Sequence, residues 1–125
     1  MANGIRLAGG SDGPVSYHAE PLLEIYGEMT RKTGWGGSLG AARGLTREQA
    51  IRSVTSNSAY TSFEEHFKGS IEPGKYADFV VLTQDILTVP ADAIKNTRVA
   101  ATVLGGKIVH GMLGAATASS STGER

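Results

Sequence analysis

The first eleven residues of note, Ile5 to Val15, constrain this chain most. An apolar run (Ile5-Arg6-Leu7-Ala8) ends in Gly9-Gly10, followed by Ser11, one acid, Asp12, and then Gly13-Pro14. Such a run reads as a buried strand over residues 4–9, a tight turn and then a helix, with Asp12 at the strand's carboxyl end. Open α/β sheets and barrels carry their ligand chemistry at that end. No second convincing strand occurs before residue 68. A buried strand cannot leave its backbone groups unpaired, so this one belongs to a sheet whose other strands lie in a partner or in an upstream portion. Asp12 is the residue to which chemistry is assigned. The plain alternative is an ordinary turn or capping aspartate beside glycine.

Composition narrows the classes. The 125 residues suffice for one modest domain, and twelve basic and twelve acidic side chains balance to zero net charge. No basic run supports a nucleic-acid partner. No apolar run approaches the roughly 20 residues of a membrane helix. The N-terminus lacks the pattern of a secretory signal. Cysteine is absent, which excludes disulfides, thiolate metal sites and a cysteine nucleophile, and agrees with a cytoplasmic setting.

Helical spacing of Leu22, Ile25, Tyr26 and Met29 after Pro21 predicts a helix over 21–32. Trp35, in a glycine-rich break, is expected to cover a small satellite core; the competing reading is a lid or rim. Thr46 and Gln49 have the form of a capping box, opening a helix over about 46–58, with a less regular piece to Phe67. From Lys68 the period changes. A short strand and Pro73-Gly74 turn, a strand over 76–82, a loop with one helical turn over 88–95, and a strand over 98–104 follow. Gly105-Gly106 is a hairpin signal leading into Lys107-Ile108-Val109-His110. Ile71, Phe79, Val81, Val99, Val103 and Ile108 are the expected core of this β unit. Residues 112–125 are small and polar and are expected to be disordered.

Lys68-Gly69-Ser70-Ile71-Glu72-Pro73-Gly74-Lys75-Tyr76-Ala77-Asp78-Phe79-Val80-Val81-Leu82 resembles the C-terminal signature of the amidohydrolase superfamily. Gly9 to Val15 resembles the end of that fold's eighth barrel strand, and Leu45 to Tyr60 the helix after it. Together the segments most resemble the amidohydrolase 3 branch, which includes N-substituted formamide deformylases. The resemblance implies an α/β plus β fold: the last strand and helices of an incomplete (β/α)8 TIM-like barrel over 1–67, then part of a small β-sandwich over 68–111, then the tail. It implies a metal-dependent hydrolase acting on amide or related C–N bonds. Asp12 would be both metal ligand and proton shuttle for the attacking water. The cofactor implied is a divalent metal, with zinc expected, in the complete enzyme; none is expected in this chain alone. The partner is a small amide-type substrate.

The chain departs from the family in lacking the upstream histidine ligands, so it is expected to be inactive alone and to pair with a missing barrel portion or a second copy. Of three histidines, His18 lies in the loop after Asp12 and is the candidate substrate contact, against a plain loop histidine. His66 and His110 are read as structural or surface residues. Two other readings compete: a noncatalytic assembly or binding module, and a weak phosphate-cradling loop at Gly-Gly-Ser-Asp-Gly. The second is disfavoured by the acid in its middle and the absence of a following lysine.

Overall fold

The computed structural model describes residues 4–13, 20–33 and 35–114. The elements run α1 (Pro21–Thr30), a 3-10 turn (Ala41–Arg43), α2 (Arg47–Ser53), α3 (Ser56–Thr61), β1 (Phe79–Leu82), α4 (Ala91–Ile94), β2 (Val99–Leu104) and β3 (Lys107–Gly111). Among the described residues, no helix is long and apolar enough to cross a membrane.

Proline at the first position of α1 suits a helix start, because the missing N–H has no helical partner there. The helix ends two residues earlier than the spacing predicts. Arg31 adopts a left-handed conformation (φ 56°), and its N–H closes onto the Gly27 carbonyl. The capping box forms as expected: Thr46 Oγ1 accepts from the Gln49 N–H, and Gln49 Oε1 accepts from the Thr46 N–H. The single helix expected over 46–58 is instead two. The Ser53 carbonyl accepts the Gly9 N–H (3.1 Å) and the Ser58 hydroxyl (2.7 Å), and α2 stops there. The break thus serves a tertiary contact that spacing does not encode.

The expected strand over 4–9 does not form. The segment has no ladder partner among the described residues; it is held instead by Gly9 to Ser53 and by Asn57 Nδ2 donating to the Leu7 carbonyl (2.8 Å). The short strand expected before Pro73 is also absent. The turn there is present: Lys75 N–H bonds the Glu72 carbonyl, and Gly74 (φ 91°) occupies the third position, where a type II turn needs positive φ.

The sheet is an antiparallel meander in the order β1-β2-β3, pairing Phe79 with Val103, Val81 with Ala101 and Val103 with Ile108. Gly105 and Gly106 both have positive φ, as a type I′ hairpin requires. β1 is three residues shorter than expected. Asp78, which precedes it, accepts the Gly105 N–H at 2.7 Å and holds the hairpin tip.

The helical core is built on Ile25, Ala50 and Ile94, with Leu22, Met29, Leu45, Ile51, Val54, Ile86 and Val89 around it. It therefore joins α1 and α2 to the excursion between β1 and β2, where the Arg47 guanidinium also donates to the Ile86 carbonyl. The β unit's expected core is partly corrected. Val103 is buried and Phe79 and Val81 are half-buried, but Val99, Ile108 and Ile71 are exposed, and the buried residue between the strands is Ala101. A three-stranded sheet with nothing packed over one face cannot bury both sets of side chains. Residues 112–114 are described as exposed turn; the rest of the expected tail lies outside the described residues.

Candidate functional site

The segment from Leu7 to Asp12 lies against the helices, and two of its backbone groups have specific partners there. Asn57 takes the Leu7 carbonyl and the Ser53 carbonyl takes the Gly9 N–H. The Glu24 carboxylate of α1 lies beside the same backbone, against Gly9. A Cβ on Gly9 would lie 2.3 Å from Glu24 Oε1 and 3.2 Å from Val54 Cγ1, so the Glu24 carboxylate would have to move to admit one. Beyond this point the chain turns, and Asp12 sits exposed with a left-handed φ of 49°. Aspartate tolerates that region better than most residues, yet it rarely occupies it.

Beneath the segment, Glu28 sits one helical turn beyond Glu24. Its Oε2 accepts the hydroxyl of the fully buried Ser53 at 2.6 Å. Burial pushes the Glu24 pKa up from 4.5, the nearby Glu28 charge pushes it further, and the Gly10 N–H draws it down. A groove of about 800 Å³ connects Ser11 and Glu24 to Tyr26, Lys32, Asp92 and Lys95. In that groove Tyr26 donates its hydroxyl to Asp92 (2.8 Å), and Lys32 pairs with Asp92 (2.9 Å). Lys95 Nζ lies 5.2 Å from the centre of the Tyr26 ring.

The groove also reaches Thr33 and Gly36. These belong to a miniature hairpin closed by Thr33 N–H to the Gly37 carbonyl and Leu39 N–H to the Arg31 carbonyl. Trp35 stands at its tip, 98% exposed. It covers no satellite core, which corrects the reading made from sequence, because the hairpin's hydrogen bonds hold the ring away from the helices.

His18, with Ser16 and Tyr17, lies outside the described residues. His66 and His110 are both exposed, and neither is near Asp12 in any shared group. The described residues contain no cluster of three His, Cys, Asp or Glu able to hold a metal ion. Asp12 is chemically a suitable oxygen ligand for a divalent cation, and among the described residues no group of three such ligands forms around it. Sequence reading missed Glu24, Glu28 and Ser53. The available signal was an acid pair four residues apart on α1, which looks like an ordinary solvated face.

Residues 1–110 match the amidohydrolase family. A protein of Bacillus subtilis (strain 168), YtcJ, named as an amidohydrolase, is 33% identical over 113 residues, covering 88% of this chain and 21% of that protein. The N-substituted formamide deformylase of Arthrobacter pascens is 29% identical over 103 residues, covering 82% of this chain and 19% of the enzyme. The chain thus spans about a fifth of the length of the curated relatives it matches. A crystal structure of an amidohydrolase from Thermotoga maritima MSB8 superposes with a TM-score of 0.66 at 23% identity, over 89% of this chain and 24% of that one, a likeness of fold.

Proposed function

Since this chain belongs to the amidohydrolase family, we propose that it is the C-terminal part of a metal-dependent hydrolase acting on C–N bonds of small amide-type substrates. Asp12 is its metal ligand and proton shuttle. The observation that carries this reading is the exposed Asp12, with a left-handed φ of 49° between Gly10 and Gly13, at the end of a segment anchored to α2 and α3 through Gly9 and Leu7. A divalent metal, with zinc expected, would polarise the scissile carbonyl and lower the pKa of a water.

Asp12 contributes a hard anionic oxygen to the metal and a base for the water proton. As the C–N bond breaks, the same carboxyl returns that proton to the leaving nitrogen. The neighbouring Gly10 and Gly13 add no side chain around the carboxylate, so substrate and backbone can approach closely. His18 is the candidate substrate contact in the following loop.

Asp12→Asn keeps the size of the side chain and one oxygen, and removes the base. In the enzyme that carries this segment, turnover should fall by at least roughly 10²-fold, with the fold retained. A fully metallated Asp12→Asn enzyme with wild-type turnover would eliminate Asp12 as the base. The 125-residue chain by itself should hold no divalent metal tightly, since its described residues contain no group of three ligands and catalytic zinc sites use about three from protein. Elemental analysis after dialysis checks this; one zinc per chain, lost on Asp12→Ala, would contradict it.

A further inference from the structure

We propose that Phe63 anchors an interface between this chain and the upstream portion of the enzyme, its ring held out at the end of α3 to be buried by that portion. This rests on the reading of the chain as the C-terminal part of a larger hydrolase.

α3 closes in a complete Schellman motif. The Phe63 N–H bonds the Tyr60 carbonyl (3.1 Å), and the Glu64 N–H reaches back to the Ala59 carbonyl (2.9 Å). That closure puts the residue after the cap in the left-handed region, and Phe63 has φ 60°. Glycine suits such a position because it has no Cβ to clash; a bulky residue there is strained. Among the described residues, positive φ outside glycine occurs at two other positions, Asp12 and Arg31. Aspartate tolerates the region. The Arg31 side chain is used within the chain, its Nε donating to the Leu39 carbonyl (3.2 Å). Phe63 has neither property. It is 84% exposed, so within this chain its ring gains little burial to offset the strain. A contact outside the chain accounts for a large apolar side chain that is both strained and exposed.

Two observations identify what covers it. The first is length: the chain spans about a fifth of its curated relatives, so in an enzyme of their size most of the protein lies outside it. The second is continuity. Residues 5–9 have strand composition and no ladder partner among the described residues; in a larger enzyme the strands that pair with them are upstream. That segment is tied to α3 itself. Asn57 Nδ2 donates to the Leu7 carbonyl (2.8 Å), and the Arg6 guanidinium lies 4.2 Å from the centre of the Tyr60 ring. Tyr60 is also the residue whose carbonyl holds the Phe63 N–H. A sheet completed at residues 5–9 is therefore built beside the helix that carries Phe63.

The test is a reversal of sign. In the 125-residue chain, Phe63→Gly relieves the left-handed strain and removes an exposed ring. Its melting temperature should rise by roughly 2–8 °C, the span expected of a small gain in a domain of this size. In the enzyme that carries this segment, the same substitution removes a buried ring, and the melting temperature should fall. Phe63→Asn, which also tolerates positive φ, should repeat both signs. Hydroxyl-radical labelling of the two wild-type proteins, read by mass spectrometry, covers the case in which the variant enzymes do not fold. Phe63 should be modified in the dilute chain and protected in the enzyme. Equal labelling of Phe63 in both, or a rise in melting temperature in both, overturns the proposal. So does a fall in the chain; a lower mass by light scattering for the Phe63→Gly chain would then assign the ring to a second copy. A natural protein no longer than these 125 residues would instead overturn the reading of the chain as part of a larger enzyme, and the rise in the chain would stand.

Discussion

Gly9 and Gly10 are adjacent and identical, yet their surroundings differ. A Cβ on Gly9 meets Glu24 and Val54; a Cβ on Gly10 meets nothing within 4 Å. Only at Gly9 does the missing side chain leave room that neighbours fill. That the apolar run ends at this pair and that Asp12 is exposed were legible, because both follow from residue type and order; the turn itself comes later, at Asp12 and Gly13. Glu24 was not legible. Helical spacing sorts Leu22, Ile25, Tyr26 and Met29 onto the buried face and leaves Glu24 and Glu28 on the polar one. What that polar face touches depends on where residues 7–10 cross it. The pKa of Glu24 gives a check at this scale. It is raised above 4.5 by burial and by Glu28, with Lys32, Asp92, Lys95 and Tyr26 further along the same groove. A carboxyl raised on folding contributes stability that is complete below pH 4.5 and lost as pH rises through the folded value. Glu24→Gln removes that dependence. Its melting temperature relative to wild type should therefore climb as pH rises from well below 4.5 toward neutrality. A pH-independent difference would show that Glu24 is not held against its charge.

Elements were legible where a local signal fixes them. The capping box starts α2, proline starts α1, and two glycines turn β2 into β3. Where pairing decides, spacing misled: residues 4–9 have strand composition and no strand to pair with, and α2 breaks because the Ser53 carbonyl is taken by Gly9 and Ser58. α4 illustrates the same dependence. Four residues cannot sustain a helix by themselves, since nucleation is unfavourable. This turn is held by the fully buried Ile94 and by Asp92, which binds Tyr26 and Lys32 of the α1 region. Ile94→Ala should cost about 2–5 kcal/mol, the range for a large buried aliphatic side chain. Ile71, expected in the β core from its sequence neighbourhood, is 82% exposed, and Ile71→Ala should stay within about 0.5 kcal/mol. Urea unfolding of the two variants compares them directly; equal losses would mean that the core is not centred on α1, α2 and α4.

At the scale of the whole molecule, buried and exposed apolar surface are out of proportion. Six hydrophobic residues are buried among the described residues, three of them alanines, while Ile5, Leu7, Phe63, Phe67, Leu104, Ile108, Val109 and Met112 are exposed. Where such exposed side chains adjoin, they favour association. β3 concentrates the problem, because it is an edge strand with all five residues exposed and two β-branched side chains at its centre. Its one built-in deterrent is Lys107, at the hairpin end of the strand, and edge strands commonly carry charges to block pairing. The 125-residue chain should therefore show a mass by light scattering that increases with concentration. Val109→Lys should shift that curve toward the monomer with little change in melting temperature, since Val109 is 59% exposed. A compact, concentration-independent monomer would mean that the exposed apolar surface is tolerated in water. Unchanged association in Val109→Lys would move the contact away from β3, to the apolar face of residues 5–7 or the aromatic cluster of Phe67 and Tyr76.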